Sequence, residues 1–229
     1  MFAVPQDDVV RELTAAGRSV RVLDLGCGTG RWLAAQRGVF GDVSVRWLGA
    51  DPSSAMLAEA GAKGVPGLVR ARAEALPLLA ETIDYVVTSY AFHHFVDKER
   101  AVDEVARVLR ADGVLRINNL EPAARGWWLY QFFPEAIELD AVRFWPTSRI
   151  VAALSARGLT VDVEVDALPD VIPVADAVAE AERRVVSQLA LLDDAAYARG
   201  LALLREADSV PRATLTTTRS RLCLTARRR

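Results

Sequence analysis

The stretch "VLDLGCGTG", residues 22–30, decides how the rest of this chain is read. An apolar run carrying one aspartate, Asp24, passes into glycines at 26, 28 and 30, with Cys27 and Thr29 between them. A tight turn needs one glycine. Three at alternate positions allow positive φ and let a ligand approach the backbone closely. A strand that ends in such a loop, with a helix after it, lies at the carboxyl edge of a parallel sheet. Open α/β sheets bind their ligands there. Asp51 stands 21 residues after Gly30, at the end of the next strand-like run. A carboxylate at that point can accept both hydroxyls of a ribose. A dinucleotide fingerprint requires GxGxxG. Here the third glycine comes one residue early and Arg31 occupies the expected place, which disfavours NAD and FAD.

Outward from this stretch, strand and helix signals alternate. Strands are expected at 20–25, 43–50, 68–73, 83–89 and 114–118, with a turn at Asp112 and Gly113. Helices are expected at 31–37, stopped near Gly38, after a Ser53 or Ser54 cap, and after Asp97, where Val102, Val105, Ala106 and Leu109 recur at helical spacing. Beyond Leu120 the rhythm changes. An aromatic segment fills 121–146, a helix fits 147–157, a strand 159–165, a helical stretch 172–207 and a last strand 213–226. This order predicts an α/β fold, a mostly parallel Rossmann-like sheet with helices on both faces. The chain reads as one domain over residues 1–229, with 121–146 and 167–211 as cap insertions.

Composition narrows the partners. The 229 residues carry a net charge of −2, which does not suit a general nucleic-acid binder. The arginine run 227–229 reads as a solvated tail. The two cysteines, Cys27 and Cys223, form no CxxC pair, so no disulfide framework or zinc site is implied. The first residues lack the basic start and apolar core of a signal peptide. No apolar run reaches the roughly 18 residues of a membrane span. A cytoplasmic protein is expected.

Four motifs in order give a resemblance. "VLDLGCGTG" resembles the first motif of class I S-adenosylmethionine-dependent methyltransferases, and "GADPSSAML" their second. "AEALPL" and "IDYVVTSYAFHHFVDKERAVDEVARVLRADGVL" resemble the run through strands four and five in the small-molecule, methyltransferase type 11-like subgroup. The match covers roughly residues 20–120. It implies a seven-stranded sheet with an antiparallel last strand, S-adenosylmethionine as cofactor and S-adenosylhomocysteine as product. It also assigns positions. Asp24 with Gly26, Cys27, Gly28 and Gly30 would hold the methionine part. Asp51, followed by Pro52, would hold the ribose. Met56 would pack near the adenine or be ordinary core, and Ala73 would offer backbone to the adenine edge. Ser89 and Tyr90 would border the transfer site. Two departures stand out. The family's usual adenine-binding aspartate is replaced by Arg72, which has no acceptor. Arg72 could stack on the ring instead, or Glu74 could accept. The N-terminal lid is short, with Phe2 its only aromatic residue.

The acceptor is less determined. His93 and His94 are the only histidines, and either could deprotonate a hydroxyl acceptor or merely fill the loop. Asn118, Asn119 and Glu121 end strand five and could orient a histidine or bind the acceptor. No spaced ligand pattern supports a metal. Trp127, Trp128, Tyr130, Phe132 and Phe133 could form an aromatic wall or pack the cap. Arg143 could meet an acidic substrate group or sit in an ion pair. The helical insertion could complete the cap or a homodimer contact. The [Asn/Asp]-Pro-Pro-aromatic motif of base-amine enzymes is absent, where "TSYAF" stands. The Pro-Cys nucleophile and the double-glutamate loop are absent too. A small organic acceptor methylated on O, N or C remains. The rival readings are a non-methylating cofactor binder on the same fold and a non-catalytic subunit.

Overall fold

The structure, a computed structural model, describes residues 6–15, 17–121 and 125–228. Seven strands run β1 (Val20–Leu25), β2 (Val45–Asp51), β3 (Leu68–Arg70), β4 (Ile83–Ser89), β5 (Leu109–Leu120), β6 (Leu159–Pro173) and β7 (Thr214–Arg228). Their order across the sheet is β3-β2-β1-β4-β5-β7-β6. The first five pair in parallel, and antiparallel pairing enters with the last strands. The helices of this region are α1 (Asp8–Ala15), α2 (Arg31–Phe40), α3 (Ser54–Ala62) and α4 (Lys98–Val108). They are followed by α5 (Trp128–Phe132), α6 (Glu135–Arg143), α7 (Thr147–Ser155), α8 (Val174–Glu182), α9 (Ser187–Leu191) and α10 (Asp194–Asp208).

The central strands read as they do because a parallel sheet is covered on both faces. Every β4 residue from Ile83 to Thr88 is buried, and so is all of β1 except Arg21. Val20, Val22, Leu33, Val45, Trp47, Tyr85, Val87 and Val114 form one core cluster with Val9 and Val10 of α1. From β1 the chain builds outward to β2 and β3, then crosses back to β4 and β5. That reversal puts the topological switch point between β1 and β4, and it opens the crevice where such sheets take ligands.

The chain divides into two compact units. The first comprises residues 1–119, 148–164 and 223–229, the second 120–147 and 165–222. The segments 121–146 and 167–211 both fall in the second unit, which also takes in residues 212–222. Its core is an apolar cluster of Trp127, Trp128, Leu129, Phe133, Val174, Ala177, Leu189 and Leu204. Gly200 lets α10 pass this cluster closely, since a Cβ there would lie 2.3 Å from the Phe133 ring. Gly200→Ala should therefore overpack the core by about 1–3 kcal/mol, against about 1 kcal/mol of helix propensity gained. A lowered thermal midpoint is expected, and a raised one would contradict the packing.

Several sequence expectations need correction. The third strand stops at Arg70, and the chain bends through an Arg72–Ala75 bridge. The Asp112 turn lies inside β5, as an irregularity where Asp112 takes φ 61°. β6 runs on to Pro173, so the helical stretch begins only at Val174 and is broken into α8, α9 and α10. Pro169 is tolerated because β6 is an edge strand. The arginine run is no solvated tail. Arg227 and Arg228 end β7 and pair with Glu12 and Glu81 at 3.3 and 2.9 Å, while Arg229 lies outside the described residues. Phe2 lies outside them too.

Candidate cofactor and transfer site

The three loop glycines have different reasons. Gly26 takes φ 77°, and a Cβ on it would sit 2.4 Å from the Ala91 Cβ. A Cβ on Gly30 would lie 2.9 Å from that of Ala60, so this glycine lets α2 and α3 approach. Around Gly28, at φ 51°, a Cβ would meet nothing within 4 Å. Two glycines serve packing, and the third faces open space. Gly26→Ala should accordingly cost stability, about 1–3 kcal/mol for the overlap alone. Gly28→Ala should leave a folded protein that binds cofactor poorly. Far-ultraviolet thermal melts and calorimetry separate the two, and equal loss of stability in both would refute the assignment.

Asp51 organises this loop. Its Oδ2 accepts from the Gly28 N–H at 2.9 Å and its Oδ1 from the Ser53 N–H at 2.9 Å. A carboxylate offers about four lone-pair sites, so capacity for ribose hydroxyls remains. Pro52 is exposed, and its carbonyl accepts from Arg70 Nε at 3.1 Å. Ser53 caps α3 through the Met56 N–H. Met56 itself is 43% exposed, which removes the ordinary-core reading.

Asp24 is the unusual group. It is 3% exposed at the end of β1, and no hydrogen bond reaches its carboxylate among the described residues. Burial, and then repulsion from Asp51, push its pKa up to about 7. Cys27 beside it is 8% exposed, and burial together with Asp24 and Asp51 pushes its thiol up to about 12. Such a carboxylate is relieved either by holding a proton or by meeting a cation.

Around the adenine positions, Ala73 is buried and Arg72 is exposed. Glu74 directs Oε1 at the Val96 and Asp97 N–H groups, at 2.8 and 3.1 Å, and so holds the loop before α4. That job was not legible in the sequence, where Glu74 was read as a possible adenine acceptor.

At the ends of β4 and β5, neighbouring side chains point to opposite faces. Asn118 Nδ2 donates to Ser89 Oγ at 3.1 Å, and the Asn118 carbonyl accepts from the Tyr90 N–H at 2.8 Å. Tyr90 is 52% exposed and holds φ 54°, a conformation rare outside glycine and concentrated at functional sites. Asn119, 2% exposed, lies with Oδ1 3.2 Å from His93 Nδ1. His93 is buried in a short 3₁₀ turn, Phe92–His94, while His94 is exposed with its ring 4.0 Å away.

In the second unit, Trp127, Tyr130 and Arg143 all have partners of their own. Trp127 packs edge-on to Tyr130, with ring centroids 5.7 Å apart. The Tyr130 hydroxyl donates to Asp140 Oδ2 at 2.7 Å, and Gln188 Nε2 donates to the same oxygen at 2.8 Å. Arg143 donates to Ser187 Oγ at 3.2 Å and lies 3.7 Å from Asp140. Asp140 and Gln188, both buried, were missed in the sequence. Only the three-residue spacing of Asp140 and Arg143 hinted at them.

Known proteins bear out the motif reading. Residues 23–117 match the family described as a methyltransferase domain. The "Uncharacterized methyltransferase YcgJ" of Bacillus subtilis is 37% identical over 120 residues, covering 49% of this chain and 46% of that protein. A Campylobacter jejuni protein named ubiquinone/menaquinone biosynthesis C-methyltransferase UbiE is 30% identical over 117 residues, covering 49% of each. The chain thus spans about half the length of the curated relatives it matches. The crystal structure of the Bacillus YcgJ protein superposes with a TM-score of 0.63 at 24% identity, over 96% of this chain and 97% of that one. The fold is that of the class I S-adenosylmethionine-dependent methyltransferases. The matched methyltransferase domain and the fold imply S-adenosylmethionine as cofactor and S-adenosylhomocysteine as product. The residues present fit that group, since its amino-acid part would bring a cation to Asp24 and its ribose would bring hydroxyls to Asp51.

Proposed function

We propose that this protein transfers a methyl group from S-adenosylmethionine to a small organic acceptor, leaving S-adenosylhomocysteine. The observation that carries the reading is Asp24, a buried carboxylate with no hydrogen-bonding partner among the described residues, on the strand that leads straight into the glycine loop. When bound, the cofactor supplies a methyl already activated on a sulfonium. The chain's own work is then mostly positioning, which can account for a large part of the barrier lowering. Asp24 and the 26–30 loop hold the amino-acid part, and Asp51 holds the ribose. Met56, Arg72 and Ala73 border the adenine. Ser89 and Tyr90 line the transfer edge. His93 takes the acceptor's proton. Asn119, Trp127, Tyr130 and Arg143 are the acceptor-side candidates.

Calorimetry tests the first half of this reading. S-adenosylmethionine and S-adenosylhomocysteine should bind and NAD should not. NAD binding with no response to S-adenosylhomocysteine would overturn it. Release of S-adenosylhomocysteine in the presence of candidate acceptors tests the second half. No helix of the described residues is long and apolar enough to cross a membrane, and no group of three metal-binding side chains occurs among them.

A further inference from the structure

Among the described residues, positive φ outside glycine occurs at Glu81, Tyr90, Asp112, Arg184 and Arg212. Glu81 precedes β4, Asp112 kinks β5, and Arg184 and Arg212 belong to the second unit. Of these, Tyr90 alone puts an aromatic ring in this conformation, and it does so just past the carboxyl end of β4. A bulky side chain there carries a steric cost that glycine escapes. The backbone is held by the Asn118 carbonyl, which accepts from the Tyr90 N–H at 2.8 Å. The fold gains little from the side chain in return. The residue is 52% exposed, and its hydroxyl meets no hydrogen-bond partner among the described residues. The end of β1 lies beside it. Asp24 is in register with Val87, and a Cβ on Gly26 would sit 2.4 Å from the Ala91 Cβ. Tyr90 therefore stands next to the 26–30 loop, on an edge that also carries the carboxylates of Asp24 and Asp51.

We propose that the Tyr90 ring binds the sulfonium of S-adenosylmethionine on its π-face, so that the site tells the charged cofactor from its neutral product. The proposal deepens the methyl-transfer reading above and rests on it. The face of an aromatic ring is negative and attracts a cation that comes within about 6 Å of its centre. Two carboxylates on the same edge favour positive charge there as well. The attraction follows the charge. S-adenosylmethionine carries a positive sulfur, and S-adenosylhomocysteine a neutral thioether. The ring therefore holds the methyl donor and loosens its hold once the methyl has left the sulfur, which favours release of the product. The hydroxyl has no part in this, because phenylalanine presents a face of the same kind. The strain has a purpose on this reading. The left-handed φ ends the side-to-side alternation of the strand at this residue and leaves the ring half-exposed at the rim.

Calorimetry on the full chain compares the Kd of S-adenosylmethionine with that of S-adenosylhomocysteine. Tyr90→Leu should weaken S-adenosylmethionine about 3- to 30-fold more than S-adenosylhomocysteine. Tyr90→Phe should keep the ratio of the two within about twofold of the unaltered protein. A ratio that Tyr90→Leu leaves unchanged overturns the proposal, even if both ligands weaken. So does a Tyr90→Phe that shifts the ratio as far as Tyr90→Leu, since the hydroxyl would then be the reader. Should Tyr90→Leu fail to fold, Tyr90→Asn removes the ring with a side chain suited to this backbone. Thermal melts check the strain with no ligand present. Tyr90→Gly should melt about 2–4 °C above Tyr90→Ala, whereas inside an ordinary strand glycine is the less stable of the two. A glycine variant no more stable than the alanine variant removes the strained conformation on which the proposal stands. If neither ligand binds the unaltered protein, the methyl-transfer reading falls and the sulfonium role with it. If both bind and their ratio ignores Tyr90, the sulfonium role alone falls.

Discussion

His93→Ala should lower turnover by about 10²–10⁴-fold, the range for a well-placed acid–base group. His94→Ala should change it little. The difference follows from the geometry, because His93 is buried with Nδ1 3.2 Å from Asn119 Oδ1, while His94 is exposed. Cofactor affinity should stay within about twofold in both variants, a difference of under about 0.5 kcal/mol. The contacts assigned to the cofactor, at Asp24, Asp51 and the 26–30 loop, lie on other elements. The measurement is kcat with a working acceptor, together with calorimetric titration by S-adenosylhomocysteine. Full turnover in His93→Ala would remove His93 as the base, and full turnover in the His93→Ala/His94→Ala double variant would reduce catalysis here to positioning alone.

Asp24→Asn should stabilise the cofactor-free protein above neutral pH and weaken cofactor binding at the same time. The native pKa of Asp24 is pushed up to about 7 from an ordinary 3.8 by burial and by Asp51. Between those values the folded state holds a proton that the unfolded state has lost. Stability must therefore fall as pH rises through that window. The loss is complete above about pH 7 and amounts to about 4 kcal/mol at most. Asparagine never ionises, so the variant escapes it. Its advantage in denaturant unfolding should be largest at pH 8 and should shrink as pH falls toward 5. In the unaltered protein, affinity for S-adenosylmethionine should weaken below pH 7, as Asp24 takes up a proton and loses its charge. A stability gap that does not vary between pH 5 and 8 would dismiss the account. With that outcome excluded, the carboxylate would be a site group held against the interest of the fold, a common condition of functional residues.

Much of the first unit was legible because its physics is local. A fully buried parallel strand writes a continuous apolar run, and β1 and β4 both do so. The glycine loop and Asp51 were legible through spacing alone. Boundaries slipped where irregular backbone intervened, as at the Arg72–Ala75 bridge and the Asp112 kink. The second unit was harder to read. Its buried polar group of Tyr130, Asp140 and Gln188 joins residues 10 and 48 positions apart. No local pattern encodes such pairs. The aromatic run was conspicuous in the sequence, but composition cannot separate a substrate wall from a core. The partners found for Trp127 and Tyr130 give them packing work whatever else they do.

The Cys27 thiol has a use at the bench. Thiol reagents attack the thiolate, and a group pushed up to about 12 and 8% exposed presents almost none near neutral pH. While the protein is folded, the loop proposed to hold the cofactor should resist oxidants and alkylating agents. Once the chain opens, the same thiol becomes ordinary and reacts. The rate of its alkylation under mild conditions then times the opening of the 26–30 loop. Saturating cofactor should slow that clock by the factor through which it stabilises the folded state. With Cys223, the other and less buried cysteine, replaced by serine, Cys27 thereby reports ligand binding with no acceptor added.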